Sequence, residues 1–404
     1  MKIAYFTDLF YPQISGVAAS LATLSTALAE KGHDIVIFAP KPARGKKVTW
    51  DSGKVKVEYL LSLPSLVYPE VRAATPFSSR LAKMIIRFNP DIIHFQTTFF
   101  VGGAGLILGR IARKPLIGTF HGYFMEPEYL KVIGIQDQAK IVSSILWRYA
   151  VLFYNQCDAV VSPAEFSKKD LIRHGVRKPI YVIPNSIDED MITQVNRKEV
   201  MALRQKLGLK KHVVIYVGRL SSEKSIDVLI ESFAQVVRTN SDVSLLIIGG
   251  GPAAKTLAAL ARRLGLEKQI IFPGEVPQSE LLTKGYYQLG DVFATASTSE
   301  VLPISVIEAM YFGLPLVGVK KRGMIDMVDG VGLLSKPGDA KALGENIAKL
   351  LADASLRRLM RHKSRVEYRA KYALEAVATK QITFYEDVIK SCRKKKRFLH
   401  KFSL

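Results

Sequence analysis

The sequence contains little cysteine and no long hydrophobic run. Only 2 of its 404 residues are cysteines, Cys157 and Cys392, which excludes a disulfide framework and a cysteine-rich metal site. Apolar stretches such as Thr98–Gly109 end well before the ~18–20 residues that a membrane-spanning helix needs. Near the amino terminus, Asp8 interrupts the first apolar residues too early for a signal peptide. These absences predict a soluble, cytoplasmic protein with reduced thiols.

Acidic side chains are scarce relative to basic ones. The chain has 58 lysines plus arginines and 36 aspartates plus glutamates, a formal net charge of +22. Residues 357–404 hold 15 of the basic and 4 of the acidic side chains, so half of the net charge lies in the last 48 residues. Such a tail attracts anionic surfaces, either nucleic acid or anionic lipid. A solvated, frayed terminus is the alternative interpretation.

Short apolar, β-branched runs alternate with helical patterns along nearly the whole chain. Twelve such runs, from Lys2–Thr7 to Leu314–Val319, lack polar alternation, which is typical of parallel strands covered by helices on both faces. The alternation predicts a doubly wound α/β fold. Because twelve strands are too many for one open sheet, we expect two Rossmann-like domains, at residues 1–190 and 191–373. A terminal helix and tail, residues 374–404, are expected to pack back on the first domain.

Two cations follow the first strand of the second domain. Arg219 comes directly after Gly218 at the end of the strand, and Lys224 lies five residues further on, where the next helix starts. Ligands of doubly wound folds bind at this carboxyl edge of the sheet. A guanidinium and an ammonium group there suit a pyrophosphate. A solvated loop is the alternative.

Two carboxylates, eight residues apart, follow a later strand. Glu300 ends a loop after this strand, and Glu308 lies within an otherwise apolar helical pattern. Because an unpaired buried carboxylate is costly, this placement favours a ligand or a partner for Glu308. The two groups could accept hydrogen bonds from vicinal hydroxyls of a ribose or a hexose. A helix cap or a salt bridge is the structural alternative.

A glycine also opens a helix after the first strand. Gly16 stands where a strand-to-helix turn could bring backbone N–H groups close to a phosphate. It could equally relieve a tight turn. The segment lacks G-x-G-x-x-G, which argues against a standard nicotinamide site.

The chain as a whole resembles the family 4 glycosyltransferases, which are retaining, use nucleotide sugars and have the GT-B fold, in which two Rossmann-like domains face a cleft. The matching motifs occur in the family's order over nearly the whole chain. They are Pro12…Gly16-Val17, Ile183-Pro184-Asn185, Gly218-Arg219-Leu220, Glu223-Lys224, Ile248–Pro252, Phe272–Val276, Glu300…Glu308-Ala309-Met310 and Gly313-Leu314-Pro315. The segment Leu9–Val17 most resembles the subgroup that glycosylates diacylglycerol-type lipids.

The resemblance implies roles for the charged residues. Arg219 and Lys224 would hold the donor diphosphate and stabilise the charge on the departing nucleotide. Glu308 would bind the ribose hydroxyls, and Glu300 the donor sugar near the reacting carbon. His121 would contact the donor sugar as well, and a strand-end turn is the alternative for this residue.

Further donor contacts come from backbone groups and small residues. The resemblance implies that Gly16 brings N–H groups to the phosphates and that the segment around Gly274 and Val276 receives the base. Gly218 and Ile304 complete the predicted donor-binding set.

The chain departs from the family pattern at the sugar. Where the family usually has a glycine soon after the first glutamate, this chain has Pro303, which has no N–H to offer. The sequence therefore leaves the identity of the sugar open, and UDP-glucose or a similar donor is the family-weighted expectation. Attack on the face that the leaving group departs from would give retention, and we expect no metal or other cofactor because the sequence has no carboxylate cluster with metal-ligand spacing.

A basic amphipathic pattern in the first domain points to the acceptor. Arg80, Lys83 and Arg87 share one face of a predicted helix over residues 77–88, and Arg72 precedes it. Such a helix could lie on an anionic membrane or simply pack on the protein surface. Together with the basic tail, it makes a peripheral enzyme on the inner face of the cell membrane the leading hypothesis.

The sequence therefore predicts a retaining hexosyltransferase with a membrane lipid acceptor such as diacylglycerol. A glycosyltransferase acting on a soluble or polymer-linked glycan is the alternative. A non-catalytic basic binding protein is less favoured, and nucleic acid is not expected as a partner, because no zinc motif, aromatic-lined basic stripe or nucleic-acid module is present. The oligomeric state is not predicted.

Overall fold

The chain divides into two compact units. The computed structural model describes residues 1–13, 15–45, 50–64, 72–74, 79–123, 125–127, 130 and 134–401, with the backbone alone at 79 and 395–401. Unit 1 comprises Met1–Ser186 and Leu374–Leu404, and unit 2 comprises Ile187–Ala373. The boundary between them lies four residues before the one predicted from the sequence.

Unit 1 is built on a seven-stranded parallel sheet with an additional antiparallel hairpin. The strands are β1 (Lys2–Phe6), β2 (Asp34–Pro40), β3 (Lys56–Leu60), β4 (Ser62–Pro64), β5 (Arg72–Ala74), β6 (Ile92–Phe95), β7 (Leu116–Thr119), β8 (Ala159–Ser162) and β9 (Ile180–Val182). The sheet order is β3-β2-β1-β6-β7-β8-β9, and β4 pairs with β5. The described helices that follow these strands are α1 (Gly16–Glu30), α2 (Ser79–Phe88), α3 (Phe100–Ile111), α4 (Ala139–Tyr154) and α5 (Glu165–His174).

Unit 2 repeats the plan with a six-stranded parallel sheet. Its strands are β10 (His212–Val217), β11 (Val243–Ile248), β12 (Ile270–Gly274), β13 (Val292–Ala294), β14 (Leu316–Val319) and β15 (Gly332–Ser335), in the order β12-β11-β10-β13-β14-β15. Its helices are α6 (Arg197–Lys206), α7 (Ile226–Thr239), α8 (Ala254–Arg263), α9 (Gln278–Thr283), α10 (Ile304–Tyr311), α11 (Gly323–Val328), α12 (Ala340–Ala352) and α13 (Ala354–Glu367). The residues of β10 and β11 are almost fully buried, because helices cover both faces of the sheet.

The last helix, α14 (Leu374–Lys401), belongs to unit 1 and packs beside α1. Its buried residues Val377, Phe384 and Tyr385 join the core under the first sheet. The Tyr385 hydroxyl lies 2.8 Å from the hydroxyl of Tyr5 and 2.6 Å from Nδ1 of His94, which ties the helix to β1 and β6. A buried polar network of this kind fixes the seat of the helix more specifically than apolar packing alone.

The doubly wound α/β class predicted from the sequence is confirmed. Each of the twelve predicted apolar runs overlaps a strand of one of the two parallel sheets. The sequence did not predict β15 or the hairpin of β4 and β5. The predicted helix over residues 77–88 begins in the described part of the chain at Ser79, and Phe77 lies outside the described residues.

Candidate functional site

Three neighbouring strands of unit 2 end in glycine-containing turns that are joined by backbone hydrogen bonds. The N–H of Gly218, after β10, donates to the carbonyl of Ile248 at 3.0 Å, and the N–H of Gly249 donates to the carbonyl of Gly274 at 2.9 Å. A Cβ on Gly249 would stand 1.9 Å from the Gly218 carbonyl oxygen, so only glycine fits there. Val276 follows two residues after β12 and is partly buried. These turns, whose glycines carry no side chain, form the carboxyl edge of the sheet, where doubly wound folds bind ligands.

An ion pair connects the two segments in which the sequence predicted charged donor-binding residues. Nζ of Lys224 lies 2.6 Å from Oε1 of Glu300, and about one fifth of each side chain is exposed. Ser297 donates from its hydroxyl to the same carboxylate oxygen at 3.3 Å. Lys224 ends a short 3-10 turn after β10, whereas Glu300 follows β13, so two neighbouring strands deliver them to one sheet edge. Water still reaches both groups, so a ligand can too.

Arg219 lies in the same loop, directly after Gly218, and its side chain is exposed. The buried Tyr216 donates from its hydroxyl to the Arg219 carbonyl at 3.4 Å, which fixes the backbone of the loop. Burial raises the pKa of Tyr216 well above its ordinary value, and the charges of Glu300 and Glu223 act in the same direction. The phenol therefore keeps its proton, and the charge of this loop comes from its arginine, lysine and glutamates.

Glu223, next to Lys224, is half-buried and has one buried carboxylate oxygen that can accept a further hydrogen bond. Its Oε1 accepts a hydrogen bond from the hydroxyl of Ser221 at 2.5 Å. Its Oε2 is buried and has no hydrogen-bond partner within the described residues. Buried acceptors are usually satisfied, so this oxygen is a candidate for a ligand hydroxyl or a water molecule.

Glu308 lies on α10 and is only 3% exposed. Its Oε1 accepts from the side-chain amide of Gln278 at 2.8 Å, and its Oε2 accepts a short hydrogen bond from the hydroxyl of Tyr287. Burial raises the pKa of the Glu308 carboxyl, and both hydrogen bonds oppose that rise. A carboxylate has about four acceptor positions, so two remain beyond these bonds. Sequence reasoning missed Gln278 and Tyr287, because no spacing rule links them to Glu308.

The start of α10 explains the departure from the family pattern. Pro303 precedes Ile304, the first residue of the helix, with φ −70° and ψ 128°. Val301 and Leu302 before it are buried, and a Cβ on Gly323 would come within 1.6 Å of the Val301 carbonyl oxygen. The segment after Glu300 is therefore held by packing against a glycine of α11, and the first N–H groups at the helix start follow Pro303.

In unit 1, His121 follows β7 and donates from Nε2 to Oε1 of Gln96, which follows β6, at 2.5 Å. Removal from water lowers the pKa of His121 to about 4, so the ring is neutral at physiological pH. His94 is different, because it is fully buried between Tyr385 and Thr119 and its pKa is lowered to about 3. His94 is thus a packing residue.

Two further features of unit 1 lie at the same sheet edge. Gly16 opens α1, whose first turn is capped by the Ser15 hydroxyl, which accepts from the N–H of Ala18 at 3.1 Å. Asp8, after β1, is buried and accepts from the hydroxyl of Thr97 at 2.6 Å and from the N–H of Val101 at 2.8 Å. Burial raises the pKa of Asp8, and these bonds oppose the rise. The sequence reading used Asp8 only to exclude a signal peptide and missed this link.

The candidate membrane residues differ in their surroundings. Arg72 is bound to the hairpin, donating from Nε to the hydroxyl of Ser62 at 2.9 Å and from Nη2 to its carbonyl at 2.7 Å. Arg80, Lys83 and Arg87 are exposed on α2. On the same helix Leu81 and Ile85 are buried in unit 1, whereas Ile86 is 75% exposed, so α2 offers one apolar side chain to a lipid surface rather than a continuous apolar face.

The described residues contain neither a metal-binding cluster nor a membrane-spanning helix. They contain no group of three or more histidine, cysteine, aspartate or glutamate side chains arranged to hold a metal ion. No helix within the same residues combines the length and apolar character needed to cross a bilayer.

Comparisons with known proteins connect this geometry to a family. Residues 14–191 match the family described as Glycosyltransferase Family 4, and residues 200–367 match Glycosyl transferases group 1. The alpha-monoglucosyldiacylglycerol synthase of Streptococcus pneumoniae (strain ATCC BAA-255 / R6) is 30% identical over 326 residues, which are 78% of this chain and 70% of the relative. The enzyme of the same name from Acholeplasma laidlawii is 27% identical over 337 residues, 78% of this chain and 80% of the relative.

A solved structure shows the same fold at lower identity. Anabaena Alr3699/HepE, crystallised in complex with UDP, matches with a TM-score of 0.77 at 21% identity, covering 96% of this chain and 100% of its own. The two family matches together span both units, and the S. pneumoniae relative aligns over more than two thirds of either chain. The predicted family and its likeness to lipid-glycosylating members are confirmed. The chain belongs to the family 4, group 1 glycosyltransferases of the GT-B fold.

Proposed function

We propose that this enzyme transfers a hexose, with retention of configuration, from a nucleotide-diphosphate sugar to a membrane lipid acceptor such as diacylglycerol. The observation that carries the donor half of the proposal is the meeting of Lys224 and Glu300 at the carboxyl edge of the second sheet, beside Arg219. The names of the S. pneumoniae and A. laidlawii relatives support glucose and diacylglycerol. The Anabaena complex of the same fold supports UDP as the nucleotide.

The proposed chemistry follows from where charge develops. Breaking the bond between sugar and phosphate places negative charge on the leaving diphosphate and positive charge on the sugar ring. Arg219 and Lys224 would stabilise the diphosphate, and preorganised charges of this kind often supply the largest catalytic contribution. Glu300 would face the sugar, and Glu308 would accept hydrogen bonds from the ribose. In unit 1, the proposed contacts are His121 with the sugar and Gly16 with the phosphates.

Retention requires that the acceptor attacks on the face from which the diphosphate leaves. The leaving phosphate oxygen would then take the proton of the acceptor hydroxyl, so no separate general base is assigned. The neutral state of His121 fits a hydrogen-bonding role towards a sugar hydroxyl. We further propose that the reaction needs no metal ion, because the two cations of the loop after β10 would balance the diphosphate. Transfer in the presence of EDTA at the rate seen without it is the expected result.

Binding of the donor is tested by thermal unfolding with a panel of nucleotide sugars. A ligand that binds only the native state raises the midpoint of unfolding, by an amount that grows with its concentration relative to Kd. UDP-glucose is expected to protect most. Stronger protection by a GDP-sugar would replace the nucleotide in the proposal, and protection by none would overturn the donor assignment.

The cations are tested by paired substitutions in transfer assays with radiolabelled donor and diacylglycerol dispersed in detergent. Arg219→Ala and Lys224→Ala are each expected to lower the transfer rate at least ~10²-fold, the scale of lost charge-stabilising groups. Lys284→Ala is the matched control, because Lys284 pairs with Glu280 on the exposed surface of unit 2 at 2.7 Å. An exposed pair contributes little, so the control should keep its activity. Wild-type turnover in the Arg219 or Lys224 variant would contradict the proposal.

The acceptor is tested separately in the same assay. Transfer to diacylglycerol but not to soluble glycans is the expected outcome. Efficient transfer to a soluble glycan, with none to lipid, would leave the donor chemistry intact and assign the enzyme to the alternative function.

A further inference from the structure

Exposed apolar side chains are unevenly distributed between the two units. Among the residues that the structure describes, every leucine or isoleucine that is at least 60% exposed lies in unit 1. The most exposed large apolar side chain of unit 2 is Met201, at 53%. Scattered apolar residues are normal on a protein surface, but several on one element mark an interaction site.

Three of them form one stripe along α4 together with Tyr149. Ile141, Ile145, Tyr149 and Leu152 are spaced by four, four and three residues, so they lie on the same side of the helix. Ile141, Ile145 and Leu152 are 66%, 60% and 64% exposed, and Tyr149 is 40% exposed. The opposite side of α4 already packs on the core of unit 1 through buried residues, so the core does not explain this stripe. We call these four residues the α4 ridge.

The charged side chains of α4 itself are all positive. α4 contains no aspartate or glutamate, and its two charged side chains, Lys140 and Arg148, are both exposed. The described helix α3 has a similar character, because it lacks acidic residues, carries Arg110 and exposes Ile107 and Ile111. An apolar stripe with cations at its border complements an anionic lipid surface, where the apolar groups enter the acyl boundary and the cations contact phosphates.

The topology places α3 and α4 together. Because β6, β7, β8 and β9 are successive neighbours, right-handed crossovers put α3, α4 and α5 on one face of the first sheet. The Tyr149 hydroxyl donates a short hydrogen bond to the carbonyl of Thr98, just before α3, which holds the two helices side by side. α1 and α14 pack together and contribute to the core that contains Tyr385.

A pocket adjoins the stripe. It has a volume of about 590 Å³, and its wall includes Lys140, Ser144 and Arg148 of α4 together with Leu152 of the α4 ridge. Its one carboxylate among the described residues, Glu126, accepts a hydrogen bond from Nε1 of Trp147 at 3.1 Å. Its floor contains Trp147, whose ring stacks on that of His174 with centroids 3.7 Å apart. Two cations and a hydroxyl at the border of an apolar ridge suit the phosphate of a lipid headgroup.

We propose that the α4 ridge is the membrane-contacting element of this enzyme, seated in the acyl boundary of an anionic bilayer with Lys140 and Arg148 on headgroup phosphates. The inference rests on the proposed function and specifies which surface carries out its membrane step. It differs from the sequence-based expectation, which assigned that step to the cations of α2 and the tail.

The test is flotation with vesicles of phosphatidylglycerol and phosphatidylcholine at low salt. The double substitution Ile141→Gln/Ile145→Gln is expected to lower the partition coefficient at least ~10-fold, because two largely exposed isoleucines lose their transfer into the lipid. Met201→Gln/Leu359→Gln, which replaces two exposed apolar residues of unit 2, is the matched control and should change it less than about twofold. Vesicles of phosphatidylcholine alone should bind the wild type more weakly.

The outcomes separate this inference from the proposed function. If the wild type fails to bind anionic vesicles, the membrane step of the proposed function and the ridge are both wrong. If the wild type binds and the double α4 variant binds equally well, only the ridge is wrong. Loss of a dimer in sedimentation by that variant, with unchanged flotation, would make the ridge a contact between copies of this chain and would also overturn the inference.

A second measurement does not depend on loss of binding. Brominated acyl chains are expected to quench the fluorescence of Ile145→Trp more than that of the wild type, whose signal comes from Trp50 and Trp147. Met201→Trp should show no quenching beyond the wild-type level. Equal quenching in the two variants would contradict the seating of α4. Unchanged protection by UDP-glucose against unfolding shows that each variant keeps its fold.

Discussion

Glu308→Gln isolates the charge of the most buried carboxylate in unit 2. The native carboxylate accepts from the Gln278 amide at 2.8 Å and from the Tyr287 hydroxyl. In the variant, the amide oxygen can keep the first bond, and its NH₂ can donate to the phenol oxygen. The phenol proton then has the carbonyl of Ser305, 3.4 Å away, as an acceptor. The variant therefore leaves no buried group without a partner.

The expected loss of UDP affinity in Glu308→Gln follows from the difference between charged and neutral hydrogen-bond acceptors. Hydrogen bonds to charged groups contribute about 1.5–3 kcal/mol and those between neutral groups about 0.5–1.5 kcal/mol. Losing the charge towards two ribose hydroxyls should therefore cost about 2 kcal/mol, or roughly 30-fold in the Kd of the nucleotide. Titration calorimetry with UDP measures this change. The midpoint of thermal unfolding should change little, since the internal bonds are retained.

The contrasting variant is Glu308→Ala. It leaves the Tyr287 hydroxyl and the Gln278 amide without their acceptor in a buried position, at about 1–3 kcal/mol of stability for each orphaned group. We therefore expect Glu308→Ala to lose both stability and at least ~10²-fold in transfer rate. Glu280→Gln, on the exposed surface of α9, is the control and should alter neither property.

The direction in which stability and UDP affinity change with pH is a second test of the role of Glu308. Because burial raises the pKa of the folded carboxyl above its ordinary value, the folded state binds a proton in a pH range where the unfolded state has lost it. This group therefore adds stability as the pH falls through that range, and loses it as the pH rises. UDP binding should move in the opposite direction and weaken on acidification. Both pH effects should be absent from Glu308→Gln, and wild-type UDP affinity in that variant would refute the ribose assignment and leave Glu308 as an internal acceptor.

Two further predictions concern the fold. Tyr385→Phe removes the hydroxyl that contacts the Tyr5 hydroxyl and Nδ1 of His94, and should lower the free energy of unfolding by roughly 2–4 kcal/mol in denaturant titrations. The control Tyr181→Phe, at a partly exposed position of unit 1, should change the free energy of unfolding little. An equal effect of both would contradict the role of the network. Ser225 stands in the left-handed region at φ 50°, so Ser225→Gly should raise the free energy of unfolding by about 0.5 kcal/mol, the relief of strain being partly offset by the entropy of glycine. A loss of more than ~1 kcal/mol would show that the serine side chain is needed there.

Periodicity predicted the strands of both sheets where apolar runs were long enough to be seen. β15 was missed because it begins with Gly332, which is typical of a turn in the sequence. In the structure this glycine allows close packing, since a Cβ there would stand 2.0 Å from the Leu316 carbonyl oxygen on β14. Sequence patterns show which residues can form a strand, whereas close approach of two backbones is a tertiary property.

In the candidate donor site, too, the sequence predicted individual residues but not their tertiary partners. Strand ends and the family resemblance identified Lys224 and Glu300, and the structure joins them in an ion pair. The residues that satisfy Glu308 were not identified, because Gln278 opens α9 and Tyr287 lies in a 3-10 turn before β13. Partners of a buried group come from whichever segments the fold brings near, and a linear pattern does not record that.

Membrane binding can come from surface charge or from exposed apolar side chains, and the two make different predictions. Counting lysines and arginines predicts attraction to an anionic surface, and it directed attention to α2 and the basic tail. Attraction of exposed charges is screened beyond about a Debye length, roughly 8–10 Å at ordinary salt, so charge alone gives a loose, salt-sensitive association. Seating in a bilayer needs apolar area free of the core. Leu81 and Ile85 of α2 are buried, which leaves Ile86 as the single largely exposed aliphatic side chain of that helix among the described residues. Ile141 and Ile145 look like core positions in the sequence, yet they are exposed beside cations. Binding governed by α4 should therefore retain a part that persists at high salt, whereas binding governed by α2 and the tail should be abolished by it.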